Sequence, residues 1–157
     1  MKKQILSLCM VLALCLLPAT ALAADGDTVY VGGVALTGST GSPAYATTDD
    51  SGNVITEGAD ENNYNIKWDG SSLTLNGATI TGKTTADTYQ TLGIYASGSS
   101  GNVSLEIELQ GKNTITSNGC GIFVHSFTTD DASLTIKGGD SLNASSLDTV
   151  IQVMSNG

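Results

Sequence analysis

One pattern, spelled three times between residues 92 and 157, limits what this chain can fold into more than any single motif. Leu92-Gly93-Ile94-Tyr95-Ala96-Ser97, Cys120-Gly121-Ile122-Phe123-Val124-His125 and Thr149-Val150-Ile151-Gln152-Val153-Met154 align, with Ile94, Ile122 and Ile151 set 28 and then 29 residues apart (94 to 122, 122 to 151). In each row the residues two before and two after the isoleucine are small or apolar, the alternation of a strand with one buried face. A second row recurs between them: Leu73-Thr74-Leu75-Asn76-Gly77, Ile107-Glu108-Leu109-Gln110-Gly111 and Leu134-Thr135-Ile136-Lys137-Gly138. A further apolar residue follows each of these glycines within a few positions, at Ile80, Ile115 and Leu142. No helical periodicity separates the rows, so two kinds of strand alternate along the chain.

Short strands that return at one spacing, joined by Gly, Ser, Thr and Asn turns too short for a helix, predict a parallel β-helix. Each coil lays its strands on the same strands of the coil before it, so Ile94, Ile122 and Ile151 form an inner column that rises about 4.8 Å per coil. Right-handed winding follows from the handedness of crossovers between parallel strands. The expected fold is therefore all-β, a right-handed parallel β-helix of about two and a half coils over 73–157. A β-sandwich is the competing solution; hairpins explain the alternation but not the fixed spacing of like residues.

Residues 1–23 read as a secretory signal peptide, with Lys2-Lys3 ahead of an apolar run and Ala21-Leu22-Ala23 at the cleavage site. Cys9 and Cys15 fall inside that run, and Leu14 is too bulky before Cys15 for a lipoprotein signal. Beyond it lie four lysines, no arginine and all 15 acidic residues, a surface that repels nucleic acid and anionic lipid. Cys120 is the one cysteine outside the leader, so no internal disulfide can form, and its place in the inner column predicts a small buried residue.

Residues 24–72 depart from the repeat and are expected to form an N-terminal β cap. Val29-Tyr30-Val31 and Val34-Ala35-Leu36 flank Gly32-Gly33, a two-residue hairpin turn. Asp50-Ser51-Gly52-Asn53 and Asp69-Gly70 mark further turns, and Trp68 is placed between the cap and the first coil. At the other end only Ser155-Asn156-Gly157 follow Met154. The last coil is thus expected to carry an open edge, completed by further coils of a longer protein or by pairing with another chain after Gly157.

Val29-Tyr30-Val31-Gly32-Gly33-Val34, Ser72-Leu73-Thr74-Leu75-Asn76-Gly77-Ala78-Thr79-Ile80, Gly93-Ile94-Tyr95-Ala96 and Gly111-Lys112-Asn113-Thr114-Ile115 resemble secreted bacterial β-helix proteins of the carbohydrate-binding-domain-containing or adhesin-like type. That resemblance implies an extracellular or cell-surface protein whose longer relatives carry more coils and anchoring modules. It also implies that polysaccharide-binding members use calcium and exposed coil side chains; no residue pattern here transfers such a site.

Catalysis on pectin-like sugars is the first rival. Lyases of this fold use an arginine or lysine base beside calcium, and hydrolases set carboxylates on one face. The candidate carboxylates are Glu106, Glu108, Asp130, Asp131 and Asp140, with Glu106 and Glu108 about 7 Å apart along one strand. Such a pair also describes any solvated polar strand, and the expectation is no enzyme. A structural stalk is the second rival. His125 is the only histidine, expected on the surface, and no metal site is assigned. Asp49-Asp50 with Asn53, and Asp130-Asp131, offer oxygen ligands for calcium without the spacing of a known loop. The binding hypothesis rests on Tyr95 and Phe123, which occupy equivalent outward positions on consecutive coils and could lie flat against sugar rings. The plainer reading, that they cover the outer sheet, carries more weight.

Overall fold

The computed structural model describes residues 28–85 and 90–156. The leader expected over 1–23 lies outside the described residues. Among them the protein is all-β, and no helix is long and apolar enough to cross a membrane. Five short strands come first: β1 (Val29–Val31), β2 (Val34–Leu36), β3 (Ala44–Thr48), β4 (Val54–Ile55) and β5 (Ile66–Trp68). A layer of β6 (Ser72–Asn76), β7 (Thr79–Thr81) and β9 (Thr91–Gly98) follows, with β8 (Lys83–Thr84) between the last two. A second layer holds β10 (Val103–Gln110), β11 (Lys112–Ser117) and β12 (Cys120–Ser126), and a third holds β13 (Ala132–Lys137), β14 (Ser141–Ser146) and β15 (Thr149–Ser155).

Each layer gives one strand to each of three sheets, ordered β15-β12-β9-β1-β2, β13-β10-β6-β5-β3-β4 and β14-β11-β7. The layers pair in parallel throughout: Ile122 lies opposite both Ile94 and Ile151, Ile107 opposite Leu73 and Ile136, and Ile115 opposite Ile80 and Ala144. The isoleucine column read from the sequence is therefore real. Three layers of strands are present, because the residues after each turn glycine make a third strand position. From the second layer to the third every strand advances by 29 residues (107 to 136, 115 to 144, 122 to 151). The first step is uneven, 34 residues for β6 to β10 (73 to 107) against 28 for β9 to β12 (94 to 122), and β8, which precedes β9, pairs antiparallel with it.

Two alignments from the sequence are corrected by this register. Lys137 stacks on Glu108, not beyond it on Gln110, and Leu142 stacks on Asn113, not on Ile115. Both errors are slips of two residues. A two-residue slip keeps every apolar side chain on its own face, so alternation alone cannot detect it.

The first layer is closed from below by antiparallel strands. β1 pairs with β9 and with β2 through Gly32 and Gly33, whose φ of 54° and 80° suit the two-residue turn between Val31 and Val34. β5 pairs with β6 and carries β3 and β4 outside it. The edge of β7 is met by the loop after β3: Thr81 N–H donates to Gly52 O, the Thr81 hydroxyl to Ser51 O, and Thr79 N–H to the Thr48 hydroxyl oxygen. Trp68, 2 % exposed, packs in the same apolar interior as Leu73, Ile80, Ile94, Ile107 and Ile122. Each fully buried aliphatic side chain of that interior contributes about 1.5–3 kcal/mol.

Alternation fails at one place, and the failure matters for the outer surface. Leu92 and Tyr95 share an outer cluster with Cys120 and Phe123, while Ile94, Ala96, Ile122 and Val124 belong to the interior. Residues 92 and 95, or 120 and 123, can share a face only if the strand flips between them, and Gly93 and Gly121 sit at the flip. A Cβ on Gly93 would lie 2.4 Å from Gly121 O, and one on Gly121 2.5 Å from Val150 O. The backbone of each layer rests on the glycine below, which only a residue without Cβ allows. Cys120 is buried as expected, but in the outer cluster, not in the inner column where strict alternation placed it.

Candidate functional site

The outer cluster opens into a row of rings. Tyr30 of β1 stands 6.0 Å from Tyr95, centroid to centroid, and Tyr95 stacks on Phe123 at 5.6 Å with 27° between planes. Register explains both contacts: Tyr30 pairs with Tyr95, and Tyr95 with Phe123. From Phe123 the row turns along β12, with His125 stacked at 5.4 Å and 16°, and then Phe127 against His125 at 4.3 Å and 57°.

Tyr95 and Phe123 stack on consecutive layers as expected, and of the two readings, a glycan platform or a cover for the outer sheet, their burial fits the second, which carried more weight. They are 1 % and 7 % exposed. Neither ring offers a face to solvent, and both serve as the packed foot of the row. The open ring is Phe127, 50 % exposed. His125 is half-buried, where a plain surface histidine was expected, and its Nε2 lies 3.2 Å from Asn156 Oδ1.

The turn that carries Phe127 is held on several sides. Phe127 N–H donates to Gly98 O one layer below, and Asn156 N–H, one layer above, donates to Ser126 O. The Ser126 and Thr128 hydroxyls lie 3.0 Å apart; that of Thr128 donates to Asp130 Oδ2 at 2.7 Å, an oxygen that also accepts Gly101 N–H. Asp131 N–H donates to Asn102 Oδ1. A ring fixed this way loses little freedom when a ligand docks on it.

The candidate carboxylates do not converge. Glu106 pairs with Lys137 at 2.5 Å in an exposed ion pair, and Glu108 accepts a long bond from Gln110. Asp130 and Asp140 cap turns, Asp140 by accepting Gly111 N–H at 2.8 Å. Asp49, proposed as a calcium ligand with Asp50 and Asn53, spends its oxygens on the Asn53 amide, Asn53 N–H and Ser51 N–H, which hold its carboxyl below the ordinary value. Among the described residues no three His, Cys, Asp or Glu side chains gather as a metal site. Burial pushes the Cys120 thiol up, and its S–H donates to Ile122 O.

Phe127 and Asn156 were missed in the sequence. Phe127 follows a strand inside a turn of variable length, and only the register of β9, β12 and β15 brings Gly98, Ser126 and Asn156 together. No family model matches the chain, and no curated protein or solved structure matches it.

Proposed function

We propose that this chain is an exported, right-handed parallel β-helix of three coils that recognises polysaccharide at a cell surface or in adhesion, without catalysing a reaction on it. The export rests on the leader read in residues 1–23, and the winding on the handedness of parallel crossovers. One observation carries the binding reading: the aromatic row ends on a half-exposed Phe127 in a pinned turn, beside the polar edge of His125 and Asn156. A sugar ring would lay its C–H face on Phe127 and share hydrogen bonds with the Asn156 amide. The reading without catalysis is supported by Glu106 standing in an exposed ion pair with Lys137, as on any solvated polar strand.

Isothermal titration with soluble plant and host glycans tests this. The wild-type protein is expected to release heat with at least one polysaccharide class, and Phe127→Ala to weaken that binding by about tenfold or more, as truncation of a central ring does. Tyr95→Phe keeps the stack and is expected to bind as wild type. Equal heats from wild type and Phe127→Ala would remove the site.

A further inference from the structure

The corner that carries Phe127 joins the ends of β9 and β12 to the starts of β10 and β13, through residues 99–102 and 127–131. Its charge is one-sided. Asp130 and Asp131 are both exposed in the turn. The strands that run into the corner, β9, β12 and β15, hold no aspartate, glutamate, lysine or arginine, and only His125 there can gain a charge, on acidification. Beyond residue 23 the chain has four lysines and no arginine, and the topology sends every lysine away from the turn. Lys83 lies opposite Leu92, six residues before Gly98 (92 to 98), and Lys137 stands five residues past Ala132 (132 to 137). Lys67 is level with Glu108 through Thr74, five residues past Val103 (103 to 108), and Lys112 follows the end of β10. At about 3.3 Å per residue the nearest of these backbones is about 17 Å along a strand from the corner, twice the screening length of about 8 Å at physiological salt. Two of the ammonium groups are also occupied, Lys83 on Asn53 Oδ1 at 2.7 Å and Lys137 on Glu106.

We infer that the Phe127 corner selects uncharged polysaccharide and rejects chains that carry carboxylate or sulfate groups along their length, with Asp131 as the residue that sets the preference. Such selection rests on the glycan reading of Phe127 and adds the class of chain taken there. A polymer laid on the ring passes the uncharged outer side of β9 and β12 or the two aspartates of the turn. Neither path offers a lysine or arginine to an anionic sugar. A uronate or sulfate brought onto Phe127 therefore meets two like charges without a counter-charge, a penalty that falls on the wrong partner alone. A neutral sugar stacks on the same ring without that penalty.

The two aspartates divide the work. Asp130 Oδ2 accepts the Thr128 hydroxyl and Gly101 N–H, so its side chain holds the turn together. Asp131 serves the fold through its backbone: its N–H donates to Asn102 Oδ1, and its carbonyl accepts Val103 N–H at 2.8 Å. Both contacts survive a change of side chain, so the Asp131 carboxylate can be altered without releasing Phe127.

Isothermal titration at pH 8 in about 0.15 M salt, with EDTA so that no divalent cation bridges like charges, compares polymers that share a backbone and differ in charge. The pairs are hydroxyethylcellulose with carboxymethylcellulose, methyl-esterified with de-esterified homogalacturonan, and dextran with dextran sulfate. Wild type is expected to bind the neutral member of at least one pair with heat that Phe127→Ala weakens, and the charged member of that pair about threefold or more weakly. In about 1 M salt, where the screening length falls to about 3 Å, the two members are expected to converge. Asp131→Asn is expected to narrow the gap and Asp131→Lys to close or reverse it, both with the circular dichroism spectrum of wild type. Charged members bound through Phe127 as tightly as neutral ones, or an order unmoved by Asp131→Lys, would overturn the selection and leave the site standing. Equal heats from wild type and Phe127→Ala with every polymer would remove the site and the selection with it.

Discussion

Replacing Gly93 by alanine tests whether the layers rest directly on one another. A Cβ there would stand 2.4 Å from Gly121 O and 2.5 Å from Ile115 Cγ2, so it meets the next layer's backbone and a buried core side chain together. At Gly121 the same Cβ meets Val150 O at 2.5 Å, with Val150 C at 3.4 Å, and no core side chain at such range. Each contact is short of ordinary van der Waals approach by about 0.7–1 Å, and a backbone carbonyl can yield only if a layer moves. Overpacking of this kind costs about 1–3 kcal/mol, and Gly93→Ala belongs at or above the top of that range because both neighbours are locked in the interior. Gly121→Ala belongs lower, because its Cβ meets only the Val150 backbone and no buried core side chain. Gly139, with nothing within 4 Å, is the control, expected within about 0.5 kcal/mol of wild type. Urea unfolding followed by circular dichroism gives all three values. Because the two alanines act on one stack, the double variant should cost less or more than the sum of the singles by about 0.5 kcal/mol or more. If Gly93→Ala unfolds with Gly139→Ala, the stacked-glycine account of the strand flip is wrong.

Two further outcomes follow from polar groups that no other residue can replace. Asn113, 1 % exposed, accepts Ala78 N–H at 2.9 Å and donates to Gln110 O and Gly111 O, so Asn113→Ala should cost about 1–3 kcal/mol by stranding those backbone groups, measured by the same unfolding curves. Asp69 is pushed up by partial burial, yet bonds from Ser72 N–H, the Ser71 hydroxyl and Ser71 N–H outweigh that and hold it below the ordinary value of an aspartate. A carboxyl lowered in the folded state stabilises above its unfolded pKa and stops doing so as pH falls through its folded one. Asp69→Asn should therefore lower stability at pH 7 and flatten the loss below about pH 4; parallel stability–pH curves for variant and wild type would contradict this.

The sequence legible to alternation was the part where alternation holds. Ile94, Ile122 and Ile151 align because each is flanked by residues of matching kind, and Gly32-Gly33 announces its turn because few other dipeptides adopt two positive φ values. The register of β13 and β14 was not readable, because a slip of two residues preserves faces and only the turn lengths decide it. Cys120 and Leu92 were put on the wrong face for a different reason: a glycine flip inside a strand reverses the parity of everything before it. The burial of Tyr95 and Phe123 also lay beyond a pattern that distinguishes inward from outward but cannot say whether outward means wet. Phe127, which occupies no repeat position, had no row to be compared with.

The flip at Gly93 and Gly121 has a further effect on the strands that carry it. Side chains of β9 and β12 are shared between two dry regions, so the ladder joining them is shielded from water on both sides over much of its length. Their amide protons can reach solvent only when both regions open, which makes this ladder the slowest-exchanging unit of the fold and the frame that holds the Phe127 turn in place.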